Sequence, residues 1–161
     1  MLYSIVLAPY WSASTDAYAR KDYDWIRKSM ASQTKLSLAL IGMIMVMAVF
    51  ADLFYRLWVG SKVEVPGPMN YWMATYVAIT IFYSPYTYFL NGIGKVKLQM
   101  YSLVVTGLLS VPLAVFLITQ LEMGASGVIA AMIASVLPHA ILSPIQFRRI
   151  LRQRARGIWD A

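Results

Sequence analysis

The sequence predicts an all-α protein, a polytopic membrane helical bundle with four full transmembrane helices and a short apolar helix before them. Two observations lead to this prediction: four long runs carry almost no charge, and the basic residues concentrate in alternate gaps between the runs. Each run reaches the roughly 20 residues that a helix needs to cross the bilayer core. A composition of 60% hydrophobic and 13% charged residues leaves too little polar surface for a soluble protein of 161 residues.

The N-terminal segment 1–13 is apolar, but it is too short to span a bilayer and lacks the features of a signal peptide. We expect it to be the inner end of a truncated helix, although an interfacial helix lying among the headgroups is an alternative. Thr15 is the candidate cap of the next helix, which has Asp24 and Lys28 at the favourable four-residue spacing. Segment 15–33 is therefore predicted to be an amphipathic helix on the cytoplasmic surface.

The remaining elements complete a single membrane domain over 1–161. The transmembrane helices are expected at 36–58, 70–91, 98–120 and 125–147, and a basic cytoplasmic tail at 148–161. The last of these helices has small residues at four-residue spacing, Gly127, Ala131 and Ser135. Small side chains at this spacing let another helix approach closely, so we interpret the stripe as a packing surface.

The placement of the 14 basic residues predicts the orientation of the bundle. Five precede the first span, two lie in the 91–97 turn and five lie in the tail, whereas only Arg56 and Lys62 fall in the other gaps. Because positive residues are retained in the cytoplasm, we expect segment 15–35, the 91–97 turn and the C-terminus inside a bacterial cell. The net charge of +7 does not indicate nucleic-acid binding, since no soluble scaffold remains to carry a binding patch.

Several kinds of chemistry are excluded or disfavoured by what the sequence lacks. With no cysteine and one histidine, disulfides and thiolate chemistry are excluded and a metal site is not expected. There is no phosphate-binding lysine loop, no dinucleotide glycine fingerprint and no pair of suitably spaced carboxylates. We therefore expect a protein that is not an enzyme and uses no cofactor.

Polar residues within the apolar runs are few, and each is costly in hydrocarbon, so their positions are informative. His139 follows Pro138 at mid-span, where it either faces a water-filled cavity or donates to a carbonyl that the proline leaves free. Asn91 borders the inner turn, where Gly92 and Gly94 predict a tight reversal.

Five segments, distributed over nearly the whole chain, occur in a fixed order: APYWSASTDAYARKDYDWIRKSM, LWVG, FLNGIGKVKLQ, GASGVIAAMIA and PIQFRRIL. Together they resemble the C-terminal part of bacterial polysaccharide flippases, in the O-antigen and capsule branch of the multidrug and oligosaccharidyl-lipid exporter superfamily. In that family about twelve helices form two lobes around a central cavity. The resemblance implies that this chain is part of the C-terminal lobe, from the end of the eighth helix to the twelfth.

The resemblance further implies transport of an undecaprenyl-diphosphate-linked oligosaccharide from the inner to the outer leaflet of the bacterial inner membrane. Such transport serves polysaccharide and O-antigen synthesis for lipopolysaccharide. The implied partners are membrane lipid, this lipid-linked glycan, and a missing N-terminal lobe or other glycan-export proteins. The substrate-path candidates are Arg27, Lys28 and Lys95 at the inner mouth, with Asn91 and His139 deeper.

One departure from the family matters, because its cavity is cationic and none of these spans has a Lys or Arg at its middle. A cationic midplane site would have to come from the missing lobe. An alternative function also remains open, in which the chain is a small four-helix membrane subunit. Such a subunit would be an oligomeric lipid-carrier flippase or a non-transporting assembly partner in glycan export.

Overall fold

The computed structural model describes residues 2–58 and 67–160, and all regular structure in these ranges is helical. The elements are α1 (Leu2–Ala19), α2 (Tyr23–Val49), α3 (Ala51–Trp58), α4 (Gly67–Gly92), α5 (Lys97–Thr119) and α6 (Ala125–Leu151), followed by a 3-10 turn at Gly157–Asp160. The predicted all-α helical fold is confirmed.

Helix α4 lies at the centre of the bundle, where it packs against α1, α2 and α6, while α5 packs mainly against α6. Within the described ranges, α2, α5 and α6 are long and apolar enough to cross a membrane. Helix α4 has 26 residues and no charged side chain, but its many tyrosines lower its hydropathy. Its central position accounts for this composition, because protein surrounds it more than lipid does. The number of spans stays a prediction.

Large apolar side chains cover the outside of the bundle, particularly on α2 and α5. They include Leu38, Met43, Val46, Val49, Leu103, Val104, Leu108 and Val111, each at least half exposed. A water-soluble monomer rarely exposes a continuous apolar surface of this kind, whereas a surface in contact with lipid requires it.

The first connection between helices differs from the one expected. Helix α1 continues through Thr15 to Ala19, so Thr15 does not cap a helix. The cap of α2 is Asp22, whose carboxylate accepts a hydrogen bond from the Trp25 N–H at 3.0 Å. Lys21 adopts a positive φ of 57°, which turns the chain between the two helices.

Helix α2 joins most of the expected surface helix to the first part of the expected 36–58 span. No proline or glycine separates the two, and the Thr34 and Ser37 hydroxyls donate to carbonyls one turn earlier, so the polar side chains are satisfied inside the helix. The helix ends at Val49, and Phe50 forms a turn before α3 begins.

A buried apolar cluster joins four helices at one end of the bundle. Its members are Tyr10, Ala17, Ile26, Met30, Phe89, Leu90, Phe147, Ile150 and Leu151. The Phe89 and Phe147 rings meet edge to face with centroids 5.0 Å apart. Helices α1, α4 and α6 reach this cluster near their C-terminal ends, and α2 reaches it near its N-terminal end. We call this the basic end of the bundle.

Hydrogen bonds between distant segments also connect the basic end. Thr15 Oγ1 donates to the Gly92 carbonyl at 2.6 Å, and Gln153 Nε2 donates to the Tyr23 hydroxyl at 3.4 Å. The segments before the first span, at the 91–97 turn and after the last span therefore lie at the same end of the bundle. That this end faces the cytoplasm stays a prediction.

Two glycines mark close contacts between helices. A Cβ added at Gly92 would lie 2.9 Å from the Trp11 carbonyl oxygen, and one at Gly127 would lie 3.2 Å from the Ile118 side chain and 3.3 Å from the Leu117 backbone. Both contacts involve backbone atoms that cannot move without shifting a whole helix. The Gly127 end of the small-residue stripe is a packing surface against α5.

Candidate functional site

A polar groove with a volume of about 550 Å³ lies between α4, α5 and α6. Its polar lining consists of Tyr76, Tyr83, Thr87, Asn91, Gln99, Thr106, Ser110, Ser135 and His139. The apolar part includes Val96 and Leu103. Two of the five residues predicted from the sequence, Asn91 and His139, therefore line one surface.

The groove begins at the basic end and follows the helices towards the opposite end. On α4 its polar lining extends from Tyr76 to Asn91, which corresponds to about 20 Å at the helical rise of 1.5 Å per residue. The hydrocarbon core of a bilayer is about 30 Å thick. The polar lining thus covers a large part of the thickness of the hydrocarbon core.

The helical repeat explains how these polar residues come together. On α4, Tyr83, Thr87 and Asn91 follow one another at four-residue spacing, which places them on one face of the helix. Ser135 and His139 on α6 have the same spacing. Each helix therefore presents one polar stripe to the groove and keeps its other faces for packing or lipid.

Three side chains in the groove have buried polar atoms without a hydrogen-bond partner among the described residues. The atoms are Thr87 Oγ1, Gln99 Nε2 and His139 Nε2. Leaving such an atom unpaired costs about 1–3 kcal/mol, so each favours a polar molecule in the groove. The centroids of the Tyr83 and His139 rings are 6.1 Å apart and their planes differ by 29°, so the two rings are neighbours in the lining of the groove.

The His139 side chain lies in the lining of the groove. Among the hydrogen bonds of the described residues, none joins its side chain to a carbonyl near Pro138, and the imidazole lines the groove instead. That His139 faces a water-filled cavity stays a prediction.

Lys95 does not face the groove as a free cation. Its ammonium contacts the Asp160 carboxylate and donates to the Asp160 carbonyl at 3.0 Å. Gln146 Nε2 lies 3.3 Å from the Lys95 carbonyl and 3.2 Å from the Trp159 carbonyl, and the Arg149 guanidinium stacks 4.1 Å from the Trp159 ring centre. We call these contacts of Trp159 and Asp160 the tail latch.

The other two predicted cations lie on the exposed face of α2. Arg27 lies 3.4 Å from the Asp24 carboxylate and borders a separate recess that also contains Arg152 and Arg154. Lys28 is exposed at the same end of α2 and lines neither the groove nor that recess. The structure therefore places the five predicted residues in four different surroundings.

The lining of the groove suits noncovalent binding. It combines amides, hydroxyls, an imidazole and tyrosine rings, and it includes no Asp, Glu, Lys or Arg. In the part of the chain that the structure describes, no group of three or more His, Cys, Asp or Glu residues could hold a metal ion. Such a surface can bind a neutral polar molecule through hydrogen bonds and ring stacking.

Most of the groove, including Tyr83, Thr87 and Gln99, was not predicted from the sequence. Single threonines and tyrosines are common in membrane helices and did not stand out one by one. The informative signal is their four-residue spacing with Asn91 in the last turns of α4.

A family model described as MatE matches residues 11–116 of the chain. The matched range begins within α1 and ends near the C-terminus of α5, so it includes two of the three helices that form the groove. No curated protein and no solved structure matches the chain.

Proposed function

Because this chain belongs to the MatE family, whose members are membrane transporters and not enzymes, we propose that it helps to move a lipid-linked oligosaccharide across the bacterial cytoplasmic membrane. The proposed substrate is an undecaprenyl-diphosphate glycan, which moves from the inner to the outer leaflet. In this proposal the basic end and the C-terminus face the cytoplasm. The chain acts together with an N-terminal lobe or with other glycan-export proteins.

The observation that supports this proposal most strongly is the neutral, polar lining of the groove. Sugars present many hydroxyls that donate and accept hydrogen bonds, and the Asn91 and Gln99 amides can do both in return. The apolar faces of sugar rings pack on aromatic side chains, which Tyr76 and Tyr83 supply. A glycan therefore matches the groove better than an ion or an apolar drug.

The cost of polar groups in a membrane strengthens this argument. A polar side chain in hydrocarbon is expensive, so an ordinary packing surface keeps few of them. Here they line one strip of about 20 Å along three helices. Hydrogen bonding to a moving glycan gives these side chains partners in the transport cycle.

The diphosphate head of the substrate needs different surroundings, because an unpaired ion in hydrocarbon is very costly. In our proposal the head first meets Arg27 and Lys28 at the basic end, where both side chains are exposed. Lys95 contributes only after the tail latch opens, because Asp160 neutralises it when the latch is closed. The cations guide the head, and the groove accommodates the sugars.

The test is complementation of a bacterial strain that lacks its polysaccharide flippase, with this chain supplied with and without its upstream coding region. Restored surface polysaccharide with the longer form is the expected result. Restoration by the chain alone would favour the alternative of a small oligomeric flippase. Failure of both forms in several matched glycan backgrounds, with expression verified, would overturn the proposal.

A further inference from the structure

The C-terminal end of α6 carries a cluster of arginines around two neighbouring recesses. One recess, of about 440 Å³, is lined by Ile145, Arg148, Arg149, Arg152 and Arg154. The other, of about 450 Å³, is lined by Arg27, Leu151, Arg152, Gln153 and Arg154. Arg152 and Arg154 border both, so the two recesses form a single basic surface, which we call the arginine surface.

Backbone geometry holds this surface together. Gln153 has a positive φ of 54°, and the Arg154 N–H donates to the Arg149 carbonyl at 2.9 Å. A left-handed residue followed by this six-to-one hydrogen bond is the Schellman ending of a helix. The chain therefore folds back on α6, and Arg154 lies close to Arg149 instead of continuing away from it.

The cations of the arginine surface have few acidic neighbours. The two ion pairs among the described residues involve Arg27 with Asp24 and Lys95 with Asp160. Arg148, Arg152 and Arg154 have no carboxylate within ion-pair distance in that part of the chain. Several guanidinium groups around shared recesses repel one another, so an external anion stabilises the arrangement.

The apolar residues beside the surface indicate what kind of anion this is. Leu137, Ile141 and Ile145 are 43%, 58% and 37% exposed. They repeat every four residues along α6, and Arg148 and Arg152 continue the same face. An exposed apolar stripe that ends in guanidinium groups matches a molecule with hydrocarbon chains and an anionic head.

We propose that the arginine surface binds an anionic phospholipid of the surrounding leaflet, with its phosphate against Arg148, Arg152 and Arg154 and its acyl chains along the Leu137 to Ile145 stripe. Guanidinium groups bind phosphate oxygens in pairs. An anionic head is favoured over a zwitterionic one because it has no cationic group that the arginines would repel. This inference does not rest on the proposed function, because the surface lies outside the groove.

The experiment uses the full chain in phosphatidylcholine vesicles that contain a trace of spin-labelled phosphatidylglycerol or spin-labelled phosphatidylcholine. Electron paramagnetic resonance measures the fraction of each label immobilised by the protein. We expect phosphatidylglycerol to be preferred by about fivefold or more, which is the effect of one basic residue near an anionic surface. The variant Arg148→Gln/Arg152→Gln/Arg154→Gln should lose this preference.

The matched control is Arg20→Gln/Lys21→Gln/Lys35→Gln, which removes the same charge from exposed positions elsewhere at the basic end. It should keep the preference. An equal loss in both variants would show diffuse attraction and overturn the proposal, as would equal immobilisation of both labels by the unmodified chain. Displacement of the labelled lipid by excess inorganic phosphate, but not by sodium chloride of the same ionic strength, would overturn it in favour of a site for free phosphate.

Discussion

The Lys95 ammonium in the α4–α5 turn contacts the carboxylate of Asp160 at the C-terminal end of the described chain. The Lys95 side chain is only 17% exposed, whereas that of Asp160 is 50% exposed. The contact connects the tail to the turn beside Asn91, where the groove begins. The position of the tail and the charge at the mouth of the groove are therefore linked.

The substitution Asp160→Asn should loosen the tail latch. Because the Asp160 side chain is half exposed, the contribution of the pair is at most about 1 kcal/mol, which corresponds to about fivefold faster amide exchange of the Gly157–Asp160 turn. Hydrogen exchange measured by mass spectrometry checks this. Asp24→Asn breaks the exposed pair with Arg27 and should leave exchange in the turn unchanged; an equal acceleration in both variants would contradict the role of the latch.

The substitution Gly92→Ala should separate α1 from α4. Its Cβ would lie 2.9 Å from the Trp11 carbonyl oxygen, and it would disturb the hydrogen bond from Thr15. We expect a loss of about 1–3 kcal/mol in the free energy of unfolding. Unfolding in detergent, followed by circular dichroism, measures the change.

The control for that experiment is Gly42→Ala, because nothing lies within 4 Å of a Cβ at this position in α2. Alanine is the better helix former, so this variant should gain up to about 1 kcal/mol. A stable Gly92→Ala protein would show that the close approach of α1 and α4 does not matter for stability.

The substitution Thr87→Val should lower transport without lowering the stability of the protein. It removes a buried hydroxyl without a partner, so the free energy of unfolding should stay the same or rise by about 1 kcal/mol. Transport should fall about fivefold or more if the hydroxyl bonds the moving glycan. The assay is surface polysaccharide in the complemented strain. Thr119→Val changes an α5 threonine outside the groove, so full transport is expected there; an equal loss at both positions would argue against the groove.

Cysteine labelling tests the orientation of the bundle, and the chain contains no cysteine that would interfere. Ser61→Cys, which lies outside the described residues, should react with an impermeant thiol reagent added to intact cells. Ser32→Cys, exposed on α2, should react only after the membrane is permeabilised. The reverse pattern would place the basic end outside and contradict the charge rule for this protein.

The distribution of Lys and Arg among the gaps correctly predicted which segments lie together at one end of the bundle. It grouped segment 15–35, the 91–97 turn and the tail, and the structure joins them through contacts such as Thr15 with Gly92. The number of basic residues in a loop indicates on which side of the membrane the loop lies, and this indication does not depend on how the helices pack. It says nothing about where helices begin, which is why the break at Asp22 and the continuity of α2 were missed.

The groove could be predicted only in part. Asn91 and His139 stood out because an amide and an imidazole are costly in an apolar run. The tail latch could not be predicted, because Asp160 follows Lys95 by 65 residues and no repeat relates them. The cation that pairs with a carboxylate of the tail is determined by the path of the chain after α6. The spacing of residues in the sequence does not predict that path.

The buried residues of α2 are Ile26, Met30 and Ser37, and the first two belong to the cluster at the basic end. From Leu38 to Val49 no residue of α2 is buried. Helix α2 can tilt about that cluster. From Met30 to Val49 the helix extends about 30 Å, so a tilt of about 10° would displace its far end by about 5 Å. Such a tilt would shift the far end of α2 relative to α4, while the joined helix ends would hardly move.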